Sequence, residues 1–475
     1  MNRVLTLLFA FISVTVYAQS PASVGIVPNH NNWIWKDTHV AKNDFISVAV
    51  VPKAAGRVLE YKLGDVESLW VNPQEFGKSY GTSDTVKVGE WRNFGGYRLV
   101  PTPVDNCGWN FQGKKVRRWP PPVMIGDAPY YVTIKQNEQG TDEIVVESGV
   151  QKLPVPTWYG KEKKFIYPDK VEEEIKYRRT LSIEDNSSKV FYNHTMTNIG
   201  ENEIERGWKI SSQHVSWTDP ELQDGVHFVA YIPFDRELKL HDNEWFHIGV
   251  TPDSRWRYVS RNRMPLDKNN PEHVSKFYNI GTNWTGEVAP GIYECHFDYN
   301  MMGGISMIAA KPWICYANKT NMTVFAKMFE PYNPELKYEH GVNIEVFNSG
   351  LETGYLETEV KTPLHKLKKG ESFDFKEVHA AATVLSLPVL DVNQAGIITK
   401  KLMIEEGQLK GQYGVFVAGE LILRGIKDGS TREETSLGKV SPLRGVEIKS
   451  KVGGTVNYQI VIKDQNGLEF VLDEI

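Results

Sequence analysis

Cysteine is scarce in this chain: Cys107, Cys295 and Cys315 are the only three among 475 residues. Three are too few for a disulfide framework, and both a Cys295–Cys315 bridge and isolated buried thiols remain open. No Cys or His pair has zinc-site spacing, and neither a phosphate-binding loop nor an EF-hand loop occurs. Helical periodicity is nearly absent, which excludes a helical bundle or a helix-rich α/β fold. Charge of one sign is also not in excess. A formal net charge of −5 gives no general attraction to nucleic acid or to a membrane surface. Past the N-terminus no apolar run approaches the length of a membrane span, so membrane insertion is not expected.

The one long apolar run is Val4 to Val16, preceded by Arg3 and followed by Tyr17-Ala18. A basic start, a short apolar stretch and a small residue at its end read as a cleaved export signal over residues 1–18. The expected setting is periplasmic or extracellular. Beyond it the chain is strand after strand. Runs such as Ser47–Val51, Glu143–Glu147, Lys189–His194, Val342–Phe347 and Gly354–Val360 are β-branched or aromatic and bounded by turn formers. Near residue 380 the character shifts: Trp disappears, and short strands such as Gly414–Ala418 and Tyr458–Ile462 recur at hairpin spacing. The expectation is an all-β chain with a large domain over 19–380 and a small C-terminal β-sandwich module over 385–475. With 13 Trp and 21 Tyr, the chain is also rich in flat rings of the kind that stack on the C–H faces of sugars.

Several segments between about 40 and 380 carry a resemblance. Gly56–Leu63 with Leu69-Trp70-Val71-Asn72-Pro73, then Trp91–Arg98 with its Gly95-Gly96 pair, then Asn193–Gly200, and finally Leu356–Val360 before Lys368-Lys369-Gly370 occur in a telling order. Together they resemble the galactose mutarotase-like, or supersandwich, carbohydrate-active superfamily. The chain departs from that pattern after the Gly-Gly pair, where Leu99-Val100-Pro101-Thr102-Pro103 replaces a Trp-Pro pair. The resemblance implies a supersandwich of large antiparallel sheets, a catalytic His at His194 and a base at Glu357 or Glu359.

A His on a strand facing a polar cleft can move protons near neutral pH. His194, with Tyr192 on its face, and His214 on the next strand are therefore candidate proton-transfer groups, as are Glu357 and Glu359. Arg clusters interleaved with rings form a second theme: Lys114–Trp119, Tyr177–Arg179 and Arg255–Tyr258. Arg98, or Arg118 beside Trp119, suits recognition of a carboxylate or sulfate. Trp91, Trp119, Trp208 and Arg257 complete the candidate binding set. The leading expectation is β-elimination on uronic-acid-containing, possibly sulfated, poly- or oligosaccharides by a lyase or dehydratase. The alternatives are aldose 1-epimerisation and non-catalytic glycan binding. The expected partner is an anionic saccharide, with no nucleic acid. No cofactor is expected, although no motif excludes a divalent ion as carboxylate neutraliser.

Overall fold

Strand Glu173–Ile183 shows why this sequence builds sheets: burial alternates almost residue by residue along Glu-Glu-Ile-Lys-Tyr-Arg-Arg-Thr-Leu-Ser-Ile. Ile175, Tyr177, Leu181 and Ile183 point into a core while Lys176 and Arg178 face water. Strand Val190–Asn198 pairs with it antiparallel and alternates in the same way. The computed structural model describes residues 21–138, 140–216, 227–240, 243–248, 270–271, 284–297, 303–349, 354–451 and 457–475. The signal-like segment 1–18 and the cluster around Arg257 lie outside the described residues.

Among the described residues the fold is nearly all-β, and the α-helix described in full is the four-residue Val123–Gly126. Among the described residues no helix is long and apolar enough to cross a membrane. Two large sheets face one another. A 12-stranded sheet carries Arg57–Leu63, Tyr97–Thr102, Ile204–Val215, Tyr355–Lys361 and Ile344–Asn348 as consecutive neighbours. An 11-stranded sheet runs through Thr323–Phe329, Ser372–Thr383, Val190–Asn198 and Glu173–Ile183. The main core lies between them, with Val48, Tyr61, Trp208, Ile210 and Val360 meeting Tyr177, Met196, Ile314 and Phe325. A small four-stranded sheet carries Trp109, Trp158 and Tyr159 to one side.

Residues after 390 form two further four-stranded sheets with their own core around Leu409, Tyr413, Leu423 and Ile460. That unit also covers the outer face of the 11-stranded sheet. Val389, Val392, Ile397 and Phe416 pack on Val229, Cys315, Val324 and Ala382. All three cysteines are buried free thiols. Cys295 belongs to the core between the large sheets and Cys315 to the core on the other face, so the bridge left open by the sequence does not form.

Candidate functional site

Alternation along three neighbouring strands sorts the polar residues of the 12-stranded sheet onto its two faces. Registers pair Ser211 with Arg98 and with Glu359, and Gln213 with Glu357. These residues share the face turned away from the 11-stranded sheet, together with Lys209, Glu345 and Lys361. Tyr97, Ser212, His214 and Thr358 occupy the opposite face, between the sheets.

On the outward face Arg98 is nearly fully buried, and its guanidinium lies 5.3 Å from the Trp91 ring and 5.2 Å from the Trp119 ring. The two indoles pack at 4.8 Å with planes 60° apart. Arg98 Nε sits 3.9 Å from Glu357 Oε1, too long for a hydrogen bond, and neither Nε nor Nη1 has a hydrogen-bond partner among the described residues. Trp91 Nε1 and Gln213 Oε1 likewise have none. Gln213 Nε2 donates to Glu357 Oε1 at 2.9 Å. Two residues on, Ser211 Oγ donates to Glu359 Oε1 at 2.8 Å, and Lys209 Nζ lies 2.8 Å from Glu359 Oε2. Burial raises the Glu359 carboxyl above its ordinary range, against the opposing pull of Lys209. Glu345 on the adjacent strand goes the other way: burial is overcome by Lys209 and Lys361, which hold it low. The result is a ladder of alternating charge beside two indole faces, suited to the donors and acceptors of a polyhydroxylated ligand.

Backbone conformation places Arg98 there. Gly95 and Gly96 take φ of 89° and 68°, where a Cβ on Gly96 would meet the Val58 carbonyl oxygen at 2.3 Å. Arg57 pins the same turn, with Nη1 3.2 Å from the Gly95 carbonyl and Nη2 3.2 Å from Asp127 Oδ1.

The remaining candidates stand elsewhere. Arg118 uses all five N–H groups on backbone carbonyls, those of Pro156, Pro120, Pro121, Asp84 and Val86. It thereby fixes the proline turn that carries Trp119. Trp208 is fully buried between the sheets against Tyr177. His194 is also fully buried between the sheets, held by the Tyr97 hydroxyl at 2.7 Å and the Tyr177 hydroxyl at 2.8 Å. Tyr192 lies beside it, with ring planes 13° apart. His214 Nε2 is 2.7 Å from Thr358 Oγ1, and its ring stacks on Tyr316 at 4.4 Å. The structure thus brings Arg98, Trp91, Trp119, Glu357 and Glu359 together, and sets His194, Tyr192, His214 and Trp208 on the far side of the same sheet.

Sequence reasoning missed two groups. The first is Lys209, Ser211 and Gln213, whose signal was the polar alternation against Trp208 and Ile210. The second is the interlayer cluster of Glu377, His379 and Lys327 around His194. Glu377 Oε2 accepts from Tyr97 at 2.5 Å and lies 3.3 Å from His194 Nε2 and 3.5 Å from His379 Nε2. Burial would raise Glu377, but His194 and His379 close beside it and the Lys327 charge hold it well below the usual carboxylate range. Burial pushes His194 and His214 down, and His379 down to about 4. A cavity of about 810 Å³ lined by Phe234, Arg236, Glu287 and Lys401 holds none of these residues.

No protein-family model matches the chain, and no curated protein does. Solved structures do. It is similar to a galactose mutarotase-like protein from Clostridium acetobutylicum, at 12% identity and a TM-score of 0.41 over 76% of this chain and 98% of that one. It is similar to a galactose mutarotase-like protein from Lactobacillus casei, at 9% identity and a TM-score of 0.41 over 72% and 99%. A galactose mutarotase related enzyme from Lactobacillus acidophilus aligns at 11% identity and a TM-score of 0.40 over 73% and 97%. These neighbours are proteins of the kind that the segments quoted from the sequence resemble.

Proposed function

We propose that the chain is a carbohydrate-active enzyme that moves protons on a sugar bound at the outward face around Arg98, Glu357 and Glu359, and that its reaction is 1-epimerisation of an aldose or a related sugar. One observation carries this reading. Two carboxyl groups share one face of one strand beside an indole-flanked guanidinium that has N–H groups without partners among the described residues. Residues two apart on a strand stand roughly 7 Å apart. That span accommodates the anomeric hydroxyl and the ring oxygen of one pyranose with a hydrogen bond on each side.

In this reading Glu357 takes the proton from the anomeric hydroxyl, and Glu359, whose carboxyl burial raises to about 7, gives a proton to the ring oxygen. The C1–O5 bond breaks, an open-chain aldehyde forms, and rotation about C1–C2 before reclosure inverts C1. Reclosure returns each proton to its donor. Trp91 and Trp119 supply apolar faces for the ring, and Arg98 and Gln213 hold oxygens. With the N-terminal segment read as an export signal, the reaction takes place outside the cytoplasm.

Mutarotation of a panel of aldoses and uronic acids, followed by polarimetry, tests this. Glu357→Gln and Glu359→Gln should each lower the catalysed rate by at least ~10²-fold. No acceleration over buffer for any sugar would sink the epimerase reading. The Arg98 N–H groups favour a second reading, β-elimination on a uronate whose carboxylate Arg98 neutralises. Its signature is ultraviolet absorbance from an unsaturated uronate. Tight binding without either change would mark a glycan-binding protein.

A further inference from the structure

The small four-stranded sheet spends its aromatic side chains differently from the two large ones. Trp109, Phe111, Trp158, Tyr159 and Phe165, on its strands and turns, are all half-buried or exposed, so these rings form surface and not core. Two turns meet at one end of this sheet. Phe111 stands in the turn 110–114, where the Asn110 amide donates to the Lys114 carbonyl at 2.9 Å, and Tyr159 ends its strand just before the turn 160–163. The two rings stack at 4.6 Å with planes 24° apart, and Phe111 is 56% exposed. The same turns carry Lys114, Lys161 and Lys163, all exposed and without an ion pair among the described residues. The one carboxylate there, Glu162, is already paired with Lys164 at 2.6 Å.

We infer that the Phe111–Tyr159 stack with Lys114, Lys161 and Lys163 is a second saccharide-binding site, and that it holds part of an acidic oligo- or polysaccharide chain that continues from the Arg98 face, the continuity resting on the sugar reading of that face. Flat exposed rings suit the C–H face of a pyranose, and ammonium groups at their rim suit its carboxylate or sulfate. Side chains of the sugar face tie the small sheet to it. Arg118, next to Trp119, donates through Nε at 3.0 Å to the carbonyl of Pro156, in the strand that ends at Tyr159. Lys87, in the segment leading into Trp91, lies over the Trp158 ring at 4.5 Å. Arg117 is exposed, and its charge helps to hold Glu345 of the charge ladder low. Rings and cations thus join the two sites. A single-stranded nucleic acid also stacks on rings and pairs with lysines, but the attachment to the sugar face favours a saccharide.

Affinity electrophoresis of the full chain tests this, in gels containing polygalacturonate, alginate or chondroitin sulfate, with neutral dextran and oligo-dT as comparisons. At least one acidic polysaccharide should retard the chain where dextran does not, and the retardation should weaken as salt rises. Phe111→Ala and the double variant Lys114→Gln/Lys161→Gln should each weaken that binding by about fivefold or more. All three side chains are exposed on turns, so these variants should fold as the parent does by circular dichroism. Binding to none of the acidic polysaccharides, equal binding to dextran, tighter binding to oligo-dT, or unchanged affinity in Phe111→Ala would each overturn the second site. Binding that depends on Phe111 in a chain that accelerates no mutarotation would uphold it and sink only the epimerase reading. Mutarotation of free sugars without binding to an acidic polysaccharide would do the reverse.

Discussion

Buried guanidinium groups need acceptors, and this protein shows two solutions. Arg118 bonds five carbonyls and acts as a structural pin, whereas Arg98 lies between two indoles with Nε and Nη1 unmatched. The two should part on substitution. Arg118→Met strands those carbonyls and should cost at least about 3 kcal/mol, read as a drop in the urea midpoint. Arg98→Met should change stability far less, yet weaken sugar binding by about tenfold or more in calorimetry. Equal losses of stability would mean that Arg98 is also a structural pin. Both arginines stand out in the sequence by their aromatic neighbours. Which of them keeps donors for a ligand was not legible, because the acceptors of Arg118 come from Asp84, Val86 and Pro156, far along the chain.

At the scale of elements, the Gly95-Gly96 turn and the proline turn after Arg118 set the site by bringing Arg98, Trp91 and Trp119 together. Gly96 has no room for a side chain on either count, conformation or space. Gly96→Ala should destabilise by more than about 2 kcal/mol and perturb the fluorescence of the Trp91–Trp119 pair. A neutral outcome would show that the turn can relax without moving Arg98. The strand Tyr355–Lys361 was legible as a strand, and alternation already put Glu357 and Glu359 on one face. The partners that give those carboxyls different environments, Lys209, Ser211 and Gln213, come from a strand some 150 positions earlier.

At the scale of the molecule, two buried interfaces carry consequences. The C-terminal unit seals the outer face of the 11-stranded sheet through Phe416, Ile397 and Val392, and the Ser188 amide donates to the Phe416 carbonyl at 2.8 Å. A chain ending at residue 385 would expose Val229, Cys315, Val324 and Ala382. It should aggregate or sediment as oligomers where the full chain stays monodisperse. Between the large sheets, His379 is depressed to about 4 against about 6.5 in an unfolded chain. From pH 6.5 down to 4 the unfolded state therefore binds more protons at this residue than the folded one, and its contribution to stability falls with pH. Buried carboxyls with raised values, such as Asp127 at about 6, pull the other way, so the test is a difference. His379→Phe, flanked by the rings of Tyr97, Tyr192 and Phe325, should lose less stability between pH 7 and pH 5 than the parent chain. Parallel pH curves would count against a neutral, buried His379.

The sequence by itself determined the all-β character, the strands and the pairing of Glu357 with Glu359 on one face, because period-two alternation and turn residues are local properties. It could not determine which face of a strand meets the other sheet and which meets a ligand. Both faces of the 12-stranded sheet carry polar side chains, so alternation sorts residues into two sets without saying which set is inside. Only tertiary packing decided that His194, Tyr192 and His214 go between the sheets. There Glu377, His379 and Lys327 from distant strands offer hydrogen bonds and charge that offset the burial of polar groups, which leaves Arg98, Glu357 and Glu359 to the outward face.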